Sequence, residues 1–132
     1  MELDPNIASL MSAFPSIFKE EPPLIWSELP AGWVPLVSQL FEQLTTMLEP
    51  QELQAVQVAQ IKEKLGTLRI RLDFSRFEPE RAALVRERIN QTSRRSAATC
   101  QLCGDVGRLV RSLDGRMATL CAAHGQRLIR DA

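Results

Sequence analysis

Residues 55–74 read AVQVAQIKEKLGTLRIRLDF. Leu68, Ile70, Leu72 and Phe74 alternate strictly with Thr67, Arg69, Arg71 and Asp73, the period of two that a half-buried strand requires. Val56 and Val58, then Ala59 and Ile61, are apolar on the other side of Gly66. Two strands, about 55–62 and 67–74, joined by a turn at Lys64-Leu65-Gly66, fit this pattern best, with Gly66 supplying a positive φ. The apolar phase slips between Val58 and Ala59, which means either a bulge or burial on both faces. One hairpin amid helical periodicity makes the expected class α+β, with N-terminal helices packed on a small antiparallel sheet.

Upstream of the hairpin, Leu36, Val37, Leu40, Phe41, Leu44, Met47 and Leu48 form a helical stripe. They predict a helix over about 33–48, stopped by Pro50. Before it, KEEPPLIWSELPAGW carries prolines at 22, 23 and 30, which forbid a helix and predict an extended connector or edge segment. The first segment, LDPNIASLMSAFPSIF, predicts a helix over about 5–14 with Asp4 as N-cap and Pro5 at its first position, broken near Phe14-Pro15. Its stripe of Ile7, Leu10, Met11, Phe14 and Phe18 is expected in the core. Trp26 and Trp33 read as core anchors rather than binding hot spots.

Downstream, Pro79 and flanking glutamates open a helix expected over about 79–95, with a thin apolar stripe of Leu84, Val85 and Ile89. The segment NQTSRRSAAT either continues that helix or relaxes into a linker. The expected organisation is an α+β domain over 1–98 followed by a zinc-binding module over 99–132.

That last segment contains TCQLCGDVGRLVRSLDGRMATLCAAHG, residues 99–125, with all three cysteines and the one histidine of the chain. Cys100-x2-Cys103 and Cys121-x2-His124 supply four ligands in two pairs, the arrangement of a tetrahedral Zn²⁺ site. Gly104 and Gly107 allow a tight knuckle after the first pair. Leu109-Val110-Arg111, Asp114-Gly115 and Ala118-Thr119-Leu120 read as a hairpin, and a helix from about Cys121 to Arg130 presents the second pair, with Leu128 and Ile129 available for packing. Knuckle, hairpin and helix in that order predict a treble-clef-like module. Four protein ligands close the shell and consume the only histidine, so the expected Zn²⁺ is structural. A segment this small buries too little apolar surface to order itself, and metal binding supplies the missing free energy.

The rest of the sequence offers no catalytic set. A P-loop, a Rossmann glycine pattern, a serine-nucleophile motif and the deaminase H-x-E with P-C-x-x-C pattern are all absent. The chain is therefore expected not to be an enzyme. Its 132 residues fit one domain with a small appendage, and 45% apolar with 24% charged residues describe a chain that folds. No apolar run reaches the length of a membrane span, the acidic start MELDPNIASLMSAF lacks the basic opening of a secretory signal, and C-x2-C spacing suits a reducing compartment. These features predict a soluble cytoplasmic chain with no membrane partner.

The formal net charge of zero conceals a dipole. Residues 1–54 carry one Lys/Arg against eight Asp/Glu, whereas residues 55–132 carry fifteen against eight. Arg94, Arg95, Arg108, Arg111, Arg116, Arg127 and Arg130 are candidate phosphate contacts near the metal. No aromatic follows Phe77 to stack on bases. The acids Glu20, Glu21, Glu28, Glu42, Glu49 and Glu52 are a candidate surface for covering a basic cleft.

GWVPLVSQLFEQL, VAQIKEKLGTLRIRLD, TCQLCGDVGRL and TLCAAHG, in that order, resemble a group of small uncharacterised phage and bacterial proteins. Those proteins share a Gly-Trp helix start, a Q-[IV]-K-E-K-[FL]-G-x-L-R strand element and a terminal C-x2-C-G with L-C-x2-H. The resemblance spans about residues 32–125, and QIKEKLGTLR, residues 60–69, is its most specific part. It implies that Cys100, Cys103, Cys121 and His124 carry zinc. The chain departs from the group in LRIRLD, residues 68–73, where aromatics commonly follow the arginine, and in Asp105-Val106, where a proline is common before the glycine. The function expected is that of a non-enzymatic, zinc-stabilised protein-interaction protein, such as an inhibitor or immunity protein neutralising a cognate toxin, or a phage accessory factor. The alternative is a nucleic-acid-binding regulator using the basic C-terminal half.

Overall fold

A computed structural model describes residues 3–19 and 27–131, with the side chains of 128–131 outside that description. The expectations for Glu20, Glu21, the paired prolines, Trp26, Leu128 and Ile129 lie outside the described residues. The fold is α+β. Helix α1 (Pro5–Ala13) is capped by Asp4, whose Oδ1 accepts from the backbone N–H of Asn6 at 2.8 Å and Ile7 at 3.2 Å. The break falls at Phe14, and Pro15 then opens a short further helix, α2 (Pro15–Phe18). Helix α3 (Val34–Met47) follows a 3₁₀ turn over Ala31–Trp33.

Pro50 corrects the sequence reading. It does follow the end of α3, where Leu48 and Glu49 are extended and the proline disfavours helical backbone at Glu49, but it also sits at the first position of another helix, α4 (Pro50–Ala55). The first strand, β1 (Gln57–Lys64), therefore begins two residues later than expected and runs to the turn itself. It pairs antiparallel with β2 (Thr67–Asp73). The register passes from Val58↔Leu72 to Gln60↔Arg71, so Ala59 is the extra residue of a bulge, and this explains the slipped apolar phase.

A two-stranded sheet is marginal on its own, and here each outer edge is bonded to a neighbouring segment at one residue. On β1, Ile61 N–H donates to Ser27 Oγ at 3.1 Å and Ile61 C=O accepts from Glu28 N–H at 2.9 Å. On β2, Leu68 N–H donates to Ser96 Oγ at 3.0 Å, and Leu68 C=O accepts from the Ser93 hydroxyl at 3.0 Å. Both serines belong to α5 (Pro79–Ser96), so NQTSRRS continues the helix. The buried stripe of α5 is Ala82, Val85, Thr92 and Ser96, with Ile89 half-buried; Leu84, expected in the stripe, is exposed. Small and hydroxyl-bearing residues let α5 approach the strand edge closely enough for these hydrogen bonds. Ser96→Ala leaves the fully buried Leu68 N–H without an acceptor. We expect it to cost about 1–3 kcal/mol in equilibrium urea unfolding, and an unchanged midpoint would refute this edge role.

The core lies between the sheet, α3 and the first two helices. Phe41 of α3 packs edge-on against Phe14 at 5.6 Å and Phe18 at 5.5 Å between ring centroids. Ile7, Val37, Leu44, Val56, Ile61 and Leu68 are fully buried around them. Outside this core, Arg81 of α5 forks onto Glu52 of α4, with Nε and Nη2 donating at 2.8 and 2.9 Å, and Nη2 also reaches Met47 C=O at 3.0 Å. The side-chain hydrogen bond from Arg81 comes first among the causes that hold the Glu52 carboxyl down to about 2, followed by the bond from Glu49 N–H. Because the folded value lies below the unfolded one of about 4.3, this contribution is complete above the unfolded value. It is lost as pH falls towards 2. Glu52→Gln should therefore flatten the stability–pH profile in that window and leave its shape above pH 5 unchanged.

The remaining elements form the C-terminal segment: β3 (Arg108–Arg111), β4 (Met117–Leu120) and α6 (Ala122–Asp131). Among the described residues, no helix is long and apolar enough to cross a membrane.

Candidate metal centre

The knuckle is built almost entirely by backbone. Thr99 bridges to Val106, Cys100 N–H donates to Asp105 C=O at 2.7 Å, and Gly104 N–H donates to Cys100 C=O at 2.8 Å. Gly104 takes φ +86°, a conformation that glycine adopts without penalty. Strands β3 and β4 pair from Arg108↔Leu120 to Arg111↔Met117 and return the chain to the knuckle. Cys121 lies just ahead of α6 and His124 in its first turn, where Gly125 N–H donates to Cys121 C=O at 2.8 Å.

This folding brings together all four residues that the spacing selected. One ligand atom each from Cys100, Cys103, Cys121 and His124 lies within 4.8 Å of the others, and the set could hold a metal ion. The fit can be tested on edge lengths. Bonds of about 2.3 Å to sulfur and about 2.0–2.1 Å to nitrogen imply tetrahedral edges of about 3.8 Å for S···S and about 3.5 Å for S···N. Cys103 Sγ and Cys121 Sγ are 3.8 Å apart, and His124 Nδ1 lies 3.5 Å from Cys100 Sγ and 3.2 Å from Cys121 Sγ. These lengths fit Zn²⁺ with Nδ1 as the nitrogen donor, and all three cysteines are free thiols.

Burial pushes the Cys100 thiol up, but backbone N–H groups of Cys121, Cys103 and Leu102 outweigh it and bring it down to about 6. For Cys103, the Asp105 backbone hydrogen bond acts downwards. Burial and the neighbouring thiols of Cys100 and Cys121 together prevail and push it up to about 11. Backbone N–H groups from both halves of the cluster thus favour the charged form of the Cys100 sulfur.

Three contacts seat this centre on the rest of the fold, and sequence reasoning assigned none of them. Gly32 N–H donates to Gln101 C=O at 2.9 Å, and the indole N–H of fully buried Trp33 donates to Thr99 C=O at 2.9 Å. The Thr119 hydroxyl donates to Gly66 C=O at 2.6 Å. Gly32 and Trp33 at the start of α3 and Gly66 at the hairpin turn thus all meet the segment that carries the four donors. No local pattern in the sequence signalled these contacts, which join residues more than fifty positions apart.

The basic residues expected near the metal separate in space. Arg94 pairs with Glu87 at 3.3 Å, Arg116 pairs with Asp114 at 3.1 Å, and Arg95 donates to Gln39. Arg108, Arg111 and Arg127 are exposed, and the side chain of Arg130 is outside the described residues. Of the acidic candidates, Glu52 is committed to Arg81 and to the cap of α4, while Glu28, Glu42 and Glu49 are exposed. Comparison of the chain with protein-family models, with curated proteins and with solved structures finds no match.

Proposed function

We propose that the chain is a non-enzymatic protein-interaction protein whose treble-clef-like C-terminal module is held by a structural Zn²⁺ on Cys100, Cys103, Cys121 and His124. The observation that carries this reading is the four-donor cluster: four protein donors fill a tetrahedral shell, and the set uses the single histidine of the chain. When bound, the metal supplies folding free energy rather than a reacting centre. A further observation supports that role: Leu102, Val106, Leu109 and Leu113 of the same segment are exposed, so its apolar burial is thin. The biological setting we assign is a cytoplasmic inhibitor or immunity protein acting on a cognate toxin, or a phage accessory factor. The resemblance of its motifs to phage and bacterial proteins supports that setting.

The test is elemental analysis of the purified full chain, with about one equivalent of zinc expected. Less than about half an equivalent, without exposure to chelator, would count against the closed site. A second reading, nucleic-acid binding by the basic C-terminal half, is favoured by the exposure of Arg108, Arg111 and Arg127. Titration with mixed DNA and RNA across a salt series separates the two readings. Micromolar or tighter affinity near physiological salt, falling steeply as salt rises, would displace the protein-interaction reading.

A further inference from the structure

The outward face of the β1–β2 hairpin carries Lys62 and Lys64 from one strand and Arg69 and Arg71 from the other, all exposed. Lys62 stands directly opposite Arg69. Like charges facing each other across a ladder are destabilising, and no ion pair among the described residues relieves these four. The two acids of the hairpin make other bonds, Glu63 Oε1 accepting from Gly66 N–H at 2.8 Å and Asp73 Oδ1 accepting from Ser75 N–H at 3.1 Å. From this face an open groove of about 520 Å³ crosses the edge of β2 to α5, where Ile70 and Ile89 line it.

The hairpin tip carries a second anomaly. Leu65 takes φ +53° beside Gly66 at +84°, the positive pair of a two-residue turn. Asn-Gly is the usual solution there. A leucine in that conformation is strained, and here it is also 63% exposed, so no burial compensates. Next to it, Leu109 lies against Gly66 and is itself 49% exposed, and Arg111 shares its face of β3. Two exposed leucines are thus flanked by Lys64 and Arg111.

Resting on the protein-interaction reading, we infer that this hairpin face and tip are the docking surface for an acidic protein segment. Its carboxylates sit on Lys62, Lys64, Arg69 and Arg71, and its apolar side chain sits against Leu65 and Leu109. Charge complementarity selects an acidic occupant. The apolar groups within the basic surface select protein over nucleic acid, because a phosphate backbone offers them no contact and the face has no aromatic residue on which a base could stack. A strained, exposed leucine is the kind of residue a chain retains for binding rather than for stability.

The test uses the zinc-loaded full chain and two probes of equal charge, a synthetic Glu-Leu repeat peptide of about 12 residues and an oligothymidylate, titrated near physiological salt. We expect the peptide to bind, K62Q/R69Q to weaken it about tenfold, and Leu65→Asn to weaken it about threefold or more. Leu65→Asn should leave the melting temperature unchanged or raise it, since asparagine relieves the turn. That combination is not produced by a merely structural leucine. Absence of peptide binding, or peptide binding indifferent to both variants, overturns this surface. Tighter binding of the oligothymidylate, lost in K62Q/R69Q but kept in Leu65→Asn, overturns the protein-interaction reading as well. Zinc content measured in the same samples shows that the module is intact in each variant.

Discussion

Cys100→Ser is expected to abolish stoichiometric zinc and to unfold residues 99–131 while the α3 and hairpin core survives. Cys100 is fully buried, its backbone makes two hydrogen bonds of the knuckle, and its sulfur faces His124 Nδ1. Structural Zn²⁺ contributes about 10–16 kcal/mol to small metallo-domains, as much as the whole net stability of a typical domain. Serine offers no thiolate, and the weakened shell then has little apolar burial to fall back on, since four large apolar residues of the segment are exposed. Elemental analysis should find less than about a tenth of an equivalent of metal, and amide exchange should show β3, β4 and α6 unprotected. Retention of zinc together with full protection would show that the module does not depend on Cys100 as a ligand. Cys103→Ser removes an exposed ligand, so it should release zinc equally without disturbing buried packing.

Gly32→Ala is expected to be the most damaging conservative change outside the metal ligands. An added Cβ would lie 2.1 Å from the carbonyl oxygen of Cys100, 2.7 Å from the nitrogen of Gly104 and 2.8 Å from the carbonyl carbon of Gln101. All three are backbone atoms of the knuckle, which no rotamer change can move. Overpacking costs about 1–3 kcal/mol where side chains yield, and a backbone-on-backbone clash belongs at or beyond the upper end. The shift that relieves it also breaks the Gly32–Gln101 hydrogen bond. We expect a loss of about 3 kcal/mol or more, read as a melting temperature lower by about 10 °C, together with weaker zinc retention against a competing chelator. Trp33→Phe, which forfeits the indole bond to Thr99 and leaves a small cavity at a fully buried site, should cost about 2–3 kcal/mol. Equal stability of Gly32→Ala and the parent would mean that the knuckle is not seated there.

Much of the fold was legible because its signals are local. Strict alternation in 67–74 marks β2 whatever packs on it, and the slip between Val58 and Ala59 already contained the bulge. The four ligands were legible for the same reason, since C-x2-C and C-x2-H place each pair within one turn of backbone. Pro50 was misread because a proline ends one helix and begins the next by the same restriction on φ, and only the following residues decide which. The true stripe of α5 escaped notice because Thr92 and Ser96 are polar by type. Their burial depends on the free edge of β2, a partner distant along the chain.

The amino-acid order by itself determined the class of the fold, the hairpin and the identity of the four clustered donors, all of which rest on periodicity or on spacing within a few residues. The tertiary structure alone decided where the segment with the four donors sits and what surrounds it. Gly32 and Trp33 reach the knuckle across more than sixty residues of chain, and Gly66 meets Thr119 across fifty-three. It also decided which charges remain free: Glu52, Arg94 and Arg116 look in sequence like Lys62 and Arg69, yet the first three find partners and the last two find each other. The physical reason is that an ion pair or a close backbone approach depends on distance in space, which no local pattern encodes.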